Sequence, residues 1–86
     1  MSQTPDIPAA ETPDELDTCG LLCPLPVLKT RKRLQGLGAG ALLRVRADDP
    51  ASRVDIPHFC AEQGHALLAL EEAPGGVLVF LLRKGG

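Results

Sequence analysis

The residues best equipped for chemistry lie close together, at Gly20 and then Cys23-Pro24-Leu25-Pro26. A cysteine attacks through its thiolate, so what matters is whatever would ionise Cys23. Pro24 disfavours the α conformation at Cys23 and is itself suited to a first helical position. Cys23 is therefore expected as a helix N-cap, with its sulfur at the positive end of the helix dipole. The first turn of a helix has spare N–H donors. Pro24 and Pro26 have none, which leaves Leu25 and Val27 to donate to a thiolate or a terminal persulfide anion. A thiol with an ordinary pKa of ~8.5 falls to ~3.5–7.5 at such a site. The two prolines also stiffen the turn, so that the sulfur projects. The competing reading of Cys23 is a small buried hydrophobe, a common fate of a free cysteine. The inferred helix start beside Gly20 favours the reactive one.

Other candidates weigh less. Cys19-x-x-x-Cys23 could allow an internal disulfide or a resolving role, but the gap is not the two-residue spacing of thioredoxin-like motifs. Cys19 is expected to fill the end of the first strand, and Cys60 to sit in the core. With only Cys60 and the separated His58 and His65 to add, no metal site is expected, and no cofactor. The two histidines are assigned no catalytic role. Lys29, Arg31, Lys32 and Arg33 form a basic cluster on the first helix. It reads equally as a solvated face or as a docking surface for an acidic partner.

The elements that must position these residues follow from the hydrophobic pattern. Residues 1–14 read as a disordered leader, with Pro5, Pro8 and Pro13 among small and polar residues. A single domain then spans 15–86. Glu15–Cys19 is expected as a strand broken by Gly20. Pro24–Leu37 is expected as a helix with Val27, Leu28, Leu34 and Leu37 on one face. Leu42–Ala47 alternates as a half-buried strand, with Leu43, Val45 and Ala47 inward and Arg44 and Arg46 outward. Asp48-Asp49-Pro50 signals a turn and a helix start. A second helix is expected over Ser52–Gln63, burying Ile56, Phe59, Cys60 and Gln63, with Pro57 in its first turn and Gly64 as its stop. Ala66–Glu72 and Val77–Lys84 read as strands joined by a hairpin loop. The order β-α-β-α-β-β predicts an α/β two-layer sandwich: a four-stranded mixed sheet with both helices on one face.

Composition excludes several roles. The 86 residues suffice for one small domain, and 44% hydrophobic residues fit a folded chain. Phe59 and Phe80 are the only aromatics, so stacking platforms for single-stranded nucleic acid are missing. Residues 1–15 carry a net charge of −4, while 16–86 hold 9 basic and 7 acidic residues. Neither value points to a polyanion partner, so direct nucleic-acid binding is not expected. No secretory signal or membrane-length apolar run is visible, so a cytoplasmic location with reduced thiols is expected.

Several motifs together resemble one family. Leu16-Asp17-x-x-Gly20-Leu21-x-Cys23-Pro24-x-Pro26 is similar to the signature of the TusA/SirA-like sulfur carrier proteins. So are Asp49-Pro50, Asp55-Ile56-Pro57-x-Phe59-Cys60, Gly64-His65-x-Leu67 and the closing Phe80-x-x-Arg83-Lys84. The resemblance covers about residues 15–84. It implies a carrier that accepts persulfide sulfur on Cys23 from a cysteine desulfurase or rhodanese-type protein. The sulfur then passes to an acceptor sulfurtransferase in tRNA thiolation, molybdenum cofactor assembly or sulfur oxidation. Such a protein relays sulfur without independent turnover. Cys19 and the terminal Gly85-Gly86 depart from the commonest pattern. Two alternatives stand beside the resemblance: an interaction module with a structural cysteine, and a carrier that uses a Gly85-Gly86 thiocarboxylate.

Overall fold

The alternating residues of the third and sixth segments decide the layering. On β2 (Leu42–Ala47) and β4 (Val77–Arg83), Leu43, Val45 and Ala47 face the same side as Leu78, Phe80 and Leu82, and all six are buried. Against them pack Leu34 of α1 (Leu25–Gln35) and Ile56, Phe59 and Cys60 of α2 (Ser52–Gln63). Both helices therefore cover one face of the sheet. The computed structural model describes residues 12–86; the expected leader lies outside it up to residue 11.

The remaining strands are β1 (Asp14–Asp17) and β3 (Ala66–Ala73), in the sheet order β1-β2-β4-β3. β1 runs parallel to β2, which needs the α1 crossover; β4 is antiparallel to both β2 and β3. A short 3₁₀ turn at Pro74–Gly76 joins the last two strands. The β-α-β-α-β-β order and mixed sheet agree with the sequence reading.

Three expectations about faces and ends need correction. First, α1 starts at Leu25, not Pro24, and ends at Gln35. Its buried row is Pro26, Thr30 and Leu34, four residues apart, and the Thr30 hydroxyl donates to the Pro26 carbonyl at 2.8 Å. Leu28 lies ~200° around the helix from both Pro26 and Thr30, so it is 47% exposed instead of buried. Val27 and Leu37 do pack on the core edge.

Second, α2 has the expected bounds and buries Ile56, Phe59 and Cys60, but Gln63 is exposed. Pro57 falls inside the helix, past the first turn, where it forgoes a bond to the Arg53 carbonyl. Gly64 stops the helix in the left-handed region, at φ 76°, and His65 N–H donates to the Cys60 carbonyl at 2.9 Å. Third, β1 ends at Asp17, so Cys19 lies in the turn beyond it. β3 runs one residue further than expected, to Ala73, and β4 one residue less, to Arg83.

The chain end is fastened to the body. Gly85 N–H donates to His65 Nδ1 at 2.9 Å. A β-carbon at Gly85 would collide with the Gly64 carbonyl, so only glycine fits there.

Candidate functional site

Cys23 sits in the loop that climbs from β1 to α1, and that loop is held from below. Thr18 anchors its start: the backbone N–H and the hydroxyl both donate to the Arg46 carbonyl, at 2.8 and 2.6 Å. Gly20 then turns the chain at φ 86°, which a side chain would resist. Its N–H donates to Asp48 Oδ1 at 2.9 Å. Cys23 N–H donates to Asp49 Oδ2 at 2.7 Å, and Asp49 Oδ1 accepts from Ala51 N–H at 3.1 Å. Two adjacent carboxylates at the end of β2 thus hold the cysteine loop by its main chain. The Cys23 N–H keeps the Asp49 carboxyl below the usual carboxylate range, helped by Ala51 N–H.

The helix start differs from expectation. Pro24 occupies the cap position with φ −97° and ψ 14°, and the Cys23–Pro24 peptide is cis. Cys23 stands one residue before the cap. Leu25 N–H, expected to face the sulfur, donates instead to the Leu22 carbonyl at 2.8 Å. Pro26 is buried on the sheet, while Val27 lines a groove between α1 and α2. That groove is shared by Cys23, Pro24, Asp55, His58, Phe59 and Glu62.

The electrostatics also differ. Cys23 is exposed and unoxidised, as a projecting nucleophile requires. Its thiol pKa is nevertheless raised, not lowered: the Asp55 carboxylate across the groove favours the protonated thiol, partial desolvation adds to this, and the Asp55 and Asp49 charges oppose a thiolate. The facing helix, remote in sequence, supplies a carboxylate where the local pattern promised only a helix dipole. Leu22 and Val54, chain neighbours of the groove residues Cys23 and Asp55, are 69% and 70% exposed, and Leu25 and Leu28 are nearly half exposed. Pro24, Val27 and Phe59 supply the apolar wall that the sulfur shares.

The basic cluster does not form one patch. Lys29, Lys32 and Arg33 line a hollow with Leu16 and Gly36 on the β1 side of α1. Arg33 is committed there: it pairs with Asp14 at 2.8 Å and donates to the Glu15 carbonyl at 2.9 Å. Arg31 lies on the other side, near Gln63, His65 and Lys84. Cys19 is half-buried, and its pKa is raised by burial and by the neighbouring Asp17 carboxylate. Cys60 is buried as expected, and burial pushes its thiol up to about 11. His65 is structural, while His58 pairs with Glu62 at 3.3 Å on the groove wall. Among the described residues no cluster of His, Cys, Asp and Glu could hold a metal ion.

Three residues of this site were not singled out for it from the sequence: Asp48, Asp49 and Asp55. Asp48-Asp49 registers there as a turn signal. The available hint is that a glycine-containing loop of unpaired N–H groups needs acceptors from somewhere.

The profile of the TusA sulfurtransferase family matches residues 14–84. The chain belongs to this family of sulfur carriers. It is 47% identical over 70 residues to the sulfur carrier protein TusA of Pseudomonas syringae pv. syringae (strain B728a), covering 81% of this chain and 82% of that protein. Against the sulfur carrier protein TusA of Pseudomonas putida the identity is 46% over 74 residues, covering 85% and 92%. The crystal structure of a SirA-like protein from Desulfitobacterium hafniense superposes with a TM-score of 0.74 at 29% identity, covering 84% of this chain and 97% of that one. TusA family members work with other enzymes of sulfur relay.

Proposed function

We propose that this TusA family protein accepts sulfur as a persulfide on Cys23 and passes it to a second protein. The observation that carries this reading is the exposed Cys23 on a loop pinned by Asp48 and Asp49, flanked in the chain by the exposed Leu22 and Leu25 and set in a groove with Pro24, Val27 and Phe59. The main chain is fixed, the sulfur is exposed, and the apolar side chains around it suit a protein partner.

In the accepting step, Cys23 Sγ attacks the outer sulfur of a donor persulfide. A sulfur–sulfur bond forms to Cys23, the donor's sulfur–sulfur bond breaks, and the donor thiolate leaves. The proton lost from Cys23 ends on that departing thiolate, so the exchange needs no oxidant or reductant. The donor is a cysteine desulfurase or rhodanese-type protein, and the acceptor a sulfurtransferase of tRNA thiolation, molybdenum cofactor assembly or sulfur oxidation. The location is the cytoplasm, where thiols stay reduced. Lys29 and Lys32, which share the β1-side hollow and pair with no acid among the described residues, are the better candidates for contacting an acidic partner.

The test is intact mass after incubation with a desulfurase and free cysteine. The parent protein should gain one sulfur atom that reductant removes, and Cys23→Ser should gain none. Loading of Cys23→Ser would overturn the assignment.

A further inference from the structure

Every charged group that shares the groove with Cys23 lies on α2, and the groove contains no lysine or arginine. Asp55, His58 and Glu62 stand along one face of α2, opposite Pro24 and Val27. His58 Nε2 lies 3.3 Å from Glu62 Oε2, so the one residue able to become cationic is held by an acid. From the β2–α2 connection Asp49 also faces Cys23, through its backbone N–H. The cations of the neighbourhood are directed elsewhere: Arg53 pairs with Glu72 at 3.1 Å, and Lys29, Lys32 and Arg33 line the separate hollow beside β1.

We propose that Asp55 is a positioning residue for the sulfur: from α2 its carboxylate faces Cys23 across the groove and draws the S–H toward it. The placement of Asp55 on the first turns of α2, across the groove from Cys23, makes this possible. The direction of the Cys23 shift has the same origin. Asp55 thereby orients the sulfur along the groove wall and suppresses its reaction with stray electrophiles. Once sulfur is bound, the terminal persulfide anion faces the same carboxylate. Repulsion then favours release of that sulfur to an acceptor. This role deepens the carrier reading and rests on it for its biological meaning, but its test does not.

The experiment is the pH dependence of Cys23 alkylation by iodoacetamide in the full chain. Peptide mass follows Cys23 apart from Cys19 and Cys60. Asp55→Asn keeps the shape and removes the charge, so the midpoint should move to lower pH. The thiolate fraction at pH 7 rises ~10-fold per unit of that move. A less basic thiolate is also less nucleophilic, so the observed rate should rise about threefold per unit. Asp55→Glu, which restores the charge, should bring the midpoint back toward the parent. If Asp55→Asn is poorly folded by circular dichroism, Asp55→Ser serves in its place with the same expectation. A midpoint unchanged in a folded, uncharged variant overturns the proposal. No sulfur donor is present, so that result would leave persulfide loading of Cys23 to be judged separately.

Discussion

At the scale of single residues, the site is organised by carboxylates contributed from outside the cysteine loop. Asp49 accepts from Cys23 N–H and Ala51 N–H at once, joining the cysteine loop to the start of α2. Asp49→Ala should therefore free the Cys23 amide. We expect faster hydrogen exchange at Cys23, measured by NMR, while exchange at the buried Val45 and Phe80 stays slow. Unchanged exchange at Cys23 would mean that the loop holds its shape alone. Cys23 itself was legible in the sequence because proline fixes local geometry at short range. The sign of its pKa shift was not. It is set by Asp55, which folding brings close and which no local spacing of the Cys-Pro-x-Pro segment encodes.

At the scale of elements, the strands β2 and β4 and the helix α2 follow from simple periodicity. On β2 and β4 the alternating apolar residues are the buried ones, and on α2 Ile56, Phe59 and Cys60 recur on the buried side, although Val54 is exposed and Ser52 is buried. The helix α1 was harder to read, because Leu28 and Leu34 are both apolar and only one can face the sheet. Burial of Pro26 and Thr30, neither a typical core residue, decided in favour of Leu34. Truncation separates the two positions: Leu34→Ala should cost ~2–5 kcal/mol in chemical denaturation. Leu28→Ala should cost well under ~1 kcal/mol. Equal costs would contradict the orientation of the helix. The ends of α1 are not encoded in its hydrophobic pattern, because a proline fits both the cap and the position just inside it.

At the scale of the whole molecule, the buried Cys60 thiol links stability to alkaline pH. Cys60 is packed with Leu34, Ile56 and Phe59 among the core residues, and burial lifts its pKa to about 11. The unfolded chain releases this proton near the ordinary value of ~8.5, so the folded state holds it more tightly. The contribution to stability is complete below that ordinary value and is lost as pH rises toward 11. Cys19 and Cys23, both also shifted upward, act with the same sign. Thermal unfolding between pH 8 and ~11 should show a falling midpoint, with a shallower fall in Cys60→Ala. A fall of equal slope in that variant would assign the alkaline loss to other groups.

The pinned main chain at Cys23 has a geometric corollary for traffic through the site. With the amide nitrogen fastened to Asp49, adding a sulfur atom lengthens the side chain by one bond of ~2 Å without moving its base. The empty form offers a short arm and the loaded form a longer one from the same fixed pivot. In each exchange the moving sulfur stands in line between Cys23 Sγ and the partner's cysteine sulfur, so supplier and receiver dock at the same distance and one fixed pivot serves both.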